Sequence, residues 1–240
     1  MYEIKGRVRL SETGSEGIIT LPSIINYFQD TSTFQSEDLK VGTEYLKKQG
    51  AAWVLSAWQV IVECYPKVGE EISVGTWASG FKNFFGDRNF IMKDVKGNVV
   101  AYANSIWVHL DIETGRPVKP DAEEMEKYGM EPPYPMEYAS RKVPMPKDMT
   151  PKEPIRIRKY HIDTNHHVNN CRYVQMAVEL LEEEGKQAEF SAMRAEYKKS
   201  AVYGDVIYPF IKQEGTVSTV ALCDEEGKPY AVIELKDKGE

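Results

Sequence analysis

Two stretches of the chain show a helical period of apolar positions, and each is followed by several segments rich in aromatic and β-branched residues. In the first, Leu21, Ile24, Ile25 and Phe28 fall on one face of a helix opening near Leu21-Pro22, with proline in the first turn where its missing N–H costs nothing. In the second, Val174, Ala177, Val178 and Leu181 form the stripe, Asn169 or Asn170 supplies the cap, and Gly185 ends the helix. The strand segments repeat as well. Trp58 to Glu70 parallels Met193 to Asp205, and the turn signals Asp94 to Asn98 and Asp224 to Lys228 hold the same place in each series. This order (polar loop, one long helix, then strands, twice over) predicts an α+β chain made by internal duplication, its two units sharing a continuous sheet. Two unrelated α+β domains are the alternative.

Nine of the thirteen prolines lie between Pro117 and Pro154. Within that stretch the polar run from Asp121 to Gly129 reads as a short helix, capped by Asp121 and stopped at Gly129. The expected boundaries are therefore a first unit at 1–116, a proline-rich linker at 117–152 that packs along a surface, and a second unit at 153–240.

Composition narrows the function classes. At 240 residues and 42% hydrophobic content the chain can bury one large core or two small ones. No run approaches the roughly 20 apolar residues of a membrane span, and Met1-Tyr2-Glu3-Ile4-Lys5 lacks the apolar run of a signal peptide, so a cytoplasmic protein without stable membrane insertion is expected. Cys64, Cys171 and Cys223 are too few and too scattered for a disulfide framework or a CxxC-type metal site and read as reduced thiols. A net charge of -7 argues against nucleic-acid binding, which needs clustered Lys and Arg. Basic residues do gather in the second half, at Lys152, Arg156, Arg158 and Lys159 and again at Arg172, Arg194, Lys198 and Lys199. They read either as a docking patch for an acidic partner or as ordinary charged strand faces.

Three of the four histidines lie in the run from Tyr160 to Asn170, directly before the second helix. An imidazole beside a carboxylate and amides at a helix start suits a base with its orienting partners, and the free N–H groups there favour a developing negative charge. Hydrolysis through an oxyanion is the chemistry this suggests. Plain helix capping by Asp, Thr and Asn is one alternative, and a metal held by His161, Asp163, His166 and His167 is another, although the run matches no zinc spacing such as HExxH. No GxSxG elbow or Walker loop is present.

The segment from Asp163 to Tyr173 resembles the D-x-N-x-H-V-N-N-x-x-Y signature of acyl-ACP thioesterases of the plant and bacterial type. Leu21 to Gln29 resembles that family's first helix. Ala52 to Leu55, Tyr65-Pro66, Trp77 and Ser105 to Val108 continue the likeness along nearly the whole chain. The resemblance implies a double hot dog fold with the acyl chain in the first unit and the catalytic residues in the second; thioester hydrolysis requires only a polarised water and an oxyanion site, so no cofactor or metal is expected. It assigns Asp163, Asn165 and His167 to catalysis, with His167 polarising or deprotonating a water. Asp163 orients or attacks directly, Asn165 positions substrate or water, and helix-start amides near Asn169 and Asn170 receive the oxyanion. Plant members carry an acidic residue and a cysteine in the following strand, where this chain has Ser200 and Ala201. A cysteine nucleophile is thus unavailable there, and Glu196 or Ser200 is left as supporting group. Cys171 reads as a packing residue.

The implied substrate is fatty acyl-ACP, hydrolysed to free acid and carrier to end fatty acid synthesis. Arg156, Arg158, Arg172, Lys198 and Lys199 are the candidate contacts to the acidic carrier. The tail is expected between the first helix and the strands bearing Trp53, Trp58 and Trp77, with Ile25, Phe28 and Ser32 as its floor. The alternatives are an acyl-CoA thioesterase of the same fold and a non-catalytic acyl-binding hot dog protein. The sequence leaves pairing into a homodimer open.

Overall fold

The computed structural model describes residues 1–186 and 189–238, so the expected end of the second unit at residue 240 lies outside them. Two compact units emerge: Met1–Ser56 with Val60–Ala139, and Ala57–Gln59 with Ser140–Glu240.

The first unit contains β1 (Tyr2–Arg7), α1 (Leu21–Asp38), α2 (Thr43–Lys48), β2 (Ala51–Val62), β3 (Glu71–Lys82), β4 (Phe85–Asp94), β5 (Val99–Asp111) and α3 (Ala122–Tyr128), with strand order β1-β3-β4-β5-β2. The second contains β6 (Thr150–Pro151), β7 (Ile155–Arg156), α4 (Asn170–Glu183), β8 (Phe190–Tyr197), β9 (Val206–Glu214), β10 (Val217–Cys223) and β11 (Pro229–Asp237), in the order β8-β11-β10-β9-β6 with β7 also on β9. Every strand pair with a resolved register is antiparallel. Each unit is one long helix laid on an antiparallel sheet, the α+β hot dog arrangement.

Local chemistry explains where the helices begin and end. Thr20 caps α1 by accepting the Ser23 N–H at 3.2 Å, and Pro22 sits in the first turn. Leu21, Ile24, Ile25 and Phe28 are buried on the sheet side, and Phe28 stacks on Phe90 of β4 with ring centroids 5.2 Å apart. In α4 the cap is Asn169, whose side chain accepts the Cys171 N–H at 2.9 Å; Val174, Ala177, Val178 and Leu181 are buried, and Gly185 follows with φ 85°. Removing a Phe28-sized side chain from such a core typically costs about 3–5 kcal/mol.

The duplication extends to turn chemistry. Asp94 Oδ1 accepts the N–H groups of Lys96 and Asn98 at 2.9 and 2.8 Å, and Asp224 Oδ1 accepts those of Glu226 and Lys228 at 2.9 and 2.8 Å. Gly97 and Gly227 take the left-handed position of each turn, with φ 85° and 76°.

The proline-rich segment packs along a surface, and it is divided between the units. Asp121 caps α3 through the Glu123 N–H, and Gly129 ends it with φ 61°. The Trp77 indole donates to Pro132 C=O at 3.0 Å, and the Tyr138 hydroxyl donates to Asn89 Oδ1 at 3.2 Å. From Ser140 onward the segment belongs to the second unit: Arg194 Nη2 donates to the carbonyls of Ser140 and Lys142, and the Lys152 N–H to Pro209 C=O.

Beyond β8 the chain is held by Tyr173 of α4, whose hydroxyl oxygen accepts the buried Ala201 N–H at 2.8 Å. Tyr173→Phe leaves that donor unsatisfied and is expected to destabilise the protein by about 1–3 kcal/mol. Urea unfolding measures this, and a change below about 0.5 kcal/mol, the scatter of surface substitutions, rejects the bond as a structural tie.

Candidate active site

Residues 161–169 form a tight hairpin leading into α4. Ile162 and Val168 bridge antiparallel, the Asp163 N–H donates to His167 C=O at 2.8 Å, and the His166 N–H donates to Asp163 C=O at 3.1 Å. A turn closed in this way is followed by a residue in the left-handed region, and here that residue is His166 with φ 63°. Asp163 and His167 face each other across the pair. Opposed residues of this kind point to one side with Cβ atoms about 5 Å apart. Asp163 Oδ1 also accepts the Asn165 N–H at 2.8 Å, an Asx turn that holds the carboxylate over the tip. Asp163 is half-buried, and Asn165 and His167 are exposed.

The first unit contains the same skeleton. Thr13 bridges Ile19, the Gly14 N–H donates to Ile18 C=O at 2.9 Å, and the Gly17 N–H to Gly14 C=O at 3.0 Å, with Gly17 at φ 71°. The Thr20 N–H bonds Glu12 C=O just as the Asn169 N–H bonds His161 C=O. Gly14, Glu16 and Ile18 thus stand where the second unit has Asp163, Asn165 and His167.

The start of α4 offers one donor, and its two asparagines are not equivalent. The Asn169 N–H is taken by His161 C=O at 2.9 Å, the Cys171 N–H by Asn169 Oδ1, and the Arg172 N–H by Asn169 C=O at 2.9 Å. Asn169 is therefore the helix cap and supplies no oxyanion amide, contrary to the sequence expectation. Among the described residues the Asn170 N–H donates to no protein group. The Asn170 carbonyl accepts the Tyr197 hydroxyl at 3.1 Å.

Other candidates divide according to what they already touch. His161 is 7% exposed, and its Nδ1 accepts the Arg158 N–H at 3.0 Å. Burial and the nearby Arg172 hold its imidazole below the usual value, consistent with a neutral acceptor. Glu196 is buried, its Oε2 accepting the Val143 N–H and pairing with Lys198 Nζ, each at 3.1 Å. Tyr197 reaches the start of α4, so strand alternation turns Glu196 to the other face of β8, away from the hairpin. Ser200 is exposed and precedes Ala201, whose C=O accepts the Val168 N–H at 2.9 Å, so it does lie beside the hairpin. Cys171 is buried in the first turn of α4.

The first unit holds a cavity of about 140 Å³ whose lining includes Ser32, Trp53, Phe81, Arg88, Trp107 and Tyr128. Of the residues expected to hold an acyl tail, only Ser32 and Trp53 line it. Ile25 and Phe28 are fully buried core, Trp77 is bonded to the proline-rich segment, and Trp58 belongs with the second unit. Trp53 is fixed by its indole N–H, which donates to Glu124 of α3 at 2.6 Å; burial pushes that carboxyl up. Arg88 escaped the sequence analysis. Its local signal is weak, because Asp87 and Asn89 flank it in β4.

The basic candidates also separate. Lys198 pairs with Glu196 and Lys199 with Asp224, with Lys199 Nζ 4.4 Å from the Tyr230 ring centroid. Arg172 Nη1 donates to Gln175 at 2.6 Å. Arg156 and Arg158 are exposed, beside the exposed Tyr160 and Tyr203.

Comparison with known proteins agrees with this architecture. The acyl-ACP thioesterase N-terminal domain model matches residues 1–128, and the acyl-ACP thioesterase C-terminal domain model matches residues 145–235. A chloroplastic palmitoyl-acyl carrier protein thioesterase from Cuphea hookeriana is 25% identical over 252 residues, covering 97% of this chain and 58% of that protein. The chloroplastic oleoyl-acyl carrier protein thioesterase 1 of Arabidopsis thaliana is 25% identical over 224 residues, covering 86% and 62%. The chain thus spans under two thirds of the length of these relatives. Among solved structures, an acyl-ACP thioesterase from Bacteroides thetaiotaomicron aligns with TM-score 0.89 at 22% identity, covering 98% of this chain and 96% of that one. The 12:0-ACP thioesterase from Umbellularia californica aligns with TM-score 0.86 at 19% identity, with the same coverage. At those identities the structures speak for the fold. The two domain models, which together match most of the chain, establish that it belongs to the acyl-ACP thioesterase family.

Proposed function

We propose that the chain hydrolyses the thioester of fatty acyl-ACP, releasing free fatty acid and the carrier thiol. One observation carries the reading: the two units share a hairpin skeleton before their long helices, and only the second bears Asp163, Asn165 and His167 on it. A shared skeleton accounts for capping in both units, but capping does not call for an imidazole opposite a carboxylate. In the proposed reaction His167 takes a proton from water as the oxygen attacks the thioester carbon. Asp163, across the hairpin, orients the imidazole; in the alternative it attacks the carbon itself, expelling the thiolate and leaving an acyl anhydride that the water activated by His167 then hydrolyses to restore the carboxylate. Asn165 positions the substrate or the water. The Asn170 N–H receives the developing oxyanion at the positive end of α4. The C–S bond then breaks, and the sulfur, whose thiol has a reference pKa of about 8.5, departs as a thiolate without a strong acid and takes up the proton held by His167. The tail is assigned to the first unit, where Ser32 and Trp53 of the expected tail-binding residues line a cavity. Cysteines kept as thiols fit a reducing compartment such as the cytoplasm, and the matched plant relatives bear chloroplast names.

For carrier docking, we favour Arg156 and Arg158 over Lys198 and Lys199, because each of the lysines already has an acidic partner. The Ile157 N–H bonds Asp205 C=O, which sets the two arginines alongside residues 203–206, near the strand end that holds the hairpin.

His167→Ala is expected to lower kcat at least about 100-fold with the fold intact, as loss of a general base does. His166→Gly puts glycine at the position Gly17 fills in the first unit, and it should stay within about 1 kcal/mol of wild-type stability with most turnover kept. Turnover of acyl-ACP and acyl-CoA in parallel, with circular dichroism of each variant, checks both. The assignment fails if His167→Ala keeps more than about a tenth of wild-type turnover, or if His166→Gly is the inactive variant.

The double reversal Arg156→Glu, Arg158→Glu should raise KM for acyl-ACP by about tenfold while leaving a carrier-free acyl thioester little affected. Added salt should act in the same direction on the wild type. Equal KM changes for both substrates reject the docking surface.

A further inference from the structure

Arg88 of β4 is buried, at 8% exposure, and burial pulls its guanidinium below the usual value. Nη1 donates to Gln35 Oε1 of α1 and to Thr76 Oγ1 of β3 at 3.2 Å, and the guanidinium carbon stands 5.1 Å from the Tyr128 ring centroid. Among the described residues no carboxylate pairs with Arg88, and its Nε and Nη2 donate to no protein acceptor. Taking a cation out of water without a counter-charge is costly, and Arg88 lines the first-unit cavity. Nε and Nη2 form the edge of a guanidinium that grips a carboxylate with two parallel bonds.

The two acids that line the same cavity are placed otherwise. Glu37 Oε1 accepts the Thr43 N–H at 2.9 Å, and Asp87, adjacent to Arg88 in β4, makes no ion pair with it among the described residues; its Oδ2 lies beside Gly80 of β3, and burial pushes its carboxyl up. The remaining walls are largely aromatic: Trp53, Phe81, Trp107 and Tyr128. Gly86, two residues before Arg88 on the same face, has Trp53 ring atoms 3.1 Å from where a Cβ would stand, so a side chain there would displace that wall. An alkyl tail by itself would cover the guanidinium with methylenes and leave its free edge unpaired.

We infer that this cavity is a carboxylate site for an apolar chain, with Arg88 gripping the carboxylate through Nε and Nη2 while Trp53, Phe81 and Trp107 hold the alkyl body. Two sources share that chemistry: a free fatty acid, which is the product of the proposed reaction, and the far carboxyl of an acyl thioester carrying one at each end. The first requires no turnover. The second rests on the proposed hydrolase activity.

The test titrates the full chain with a straight-chain carboxylate and with the alcohol of equal length, reading quenching of tryptophan fluorescence, to which Trp53 and Trp107 in the cavity wall should contribute. The carboxylate should bind at least about tenfold more tightly than the alcohol, as a charge-assisted pair adds over a neutral one. Arg88→Gln, with its fold checked by circular dichroism, should abolish that difference. The comparison of the two ligands on the wild type stands even if the variant fails to fold. Inhibition of thioester hydrolysis by the carboxylate but not by the alcohol identifies the free acid as ligand. A higher kcat/KM for the ω-carboxyacyl thioester than for its unsubstituted analogue identifies the far carboxyl. Equal affinity for carboxylate and alcohol, or no binding of either, overturns the site, as does unchanged discrimination in folded Arg88→Gln. Because binding is read without turnover, failure of the hydrolase reading would show separately, as absent hydrolysis of every thioester.

Discussion

The hydrogen bond from Val168 N–H to Ala201 C=O, at 2.9 Å, joins the hairpin before α4 to the chain leaving β8, and the geometry of the candidate site depends on it. On one side it continues through the Ile162–Val168 bridge into the turn that sets Asp163 opposite His167. On the other, Ala201 is held by Tyr173, a residue of the helix the hairpin leads into. Hairpin, helix and strand end thereby close a ring of short bonds. Side chains carried on such a ring lose little further freedom on binding substrate, which is the condition for effective positioning.

The same skeleton in the first unit shows what the fold requires and what the chemistry adds. Both hairpins need a left-handed residue at the tip, a cap oxygen before the helix and an acceptor at the preceding turn, supplied there by Gly17, Thr20 and Glu12 and in the second unit by His166, Asn169 and His161. Glycine takes the left-handed position without strain, whereas histidine there costs on the order of 1 kcal/mol. Two of the three clustered histidines thus have structural positions, which leaves His167 as the exposed imidazole opposite a carboxylate.

The first unit has diverged in another direction. Its helix face is apolar at Leu21 through Phe28 and then turns polar at Thr31, Ser32 and Gln35, all of them buried. Gln35 meets Arg88 there, and a cavity with aromatic walls opens beside the pair. Thr31 and Ser32 donate to the carbonyls of Tyr27 and Gln29, and Gln35 accepts from Arg88, so this polar stretch is buried with its members satisfied.

Much of the architecture was readable from the chain because it rests on local periodicity. The stripes of α1 and α4, their caps at Thr20 and Asn169, the paired aspartate turns and the short helix between Asp121 and Gly129 follow from side chains acting within a few residues of themselves. The run from Asp163 to Asn170 was visible for the same reason: its residues are adjacent, and the hairpin needs no distant partner to bring them together. What only the tertiary structure decided is which of the named groups are already engaged. Nothing local marks Glu196 as turned to the far face of its strand, Lys198 and Lys199 as paired, Phe28 as core instead of cavity wall, or the Asn169 amide as consumed while that of Asn170 meets no acceptor among the described residues. Arg88 and Gln35 lie 53 positions apart, and their meeting depends on how α1 crosses its sheet. Periodicity says which face of an element is buried; the partner on that face is set by the packing of elements distant in sequence, and pairing and exposure follow from it.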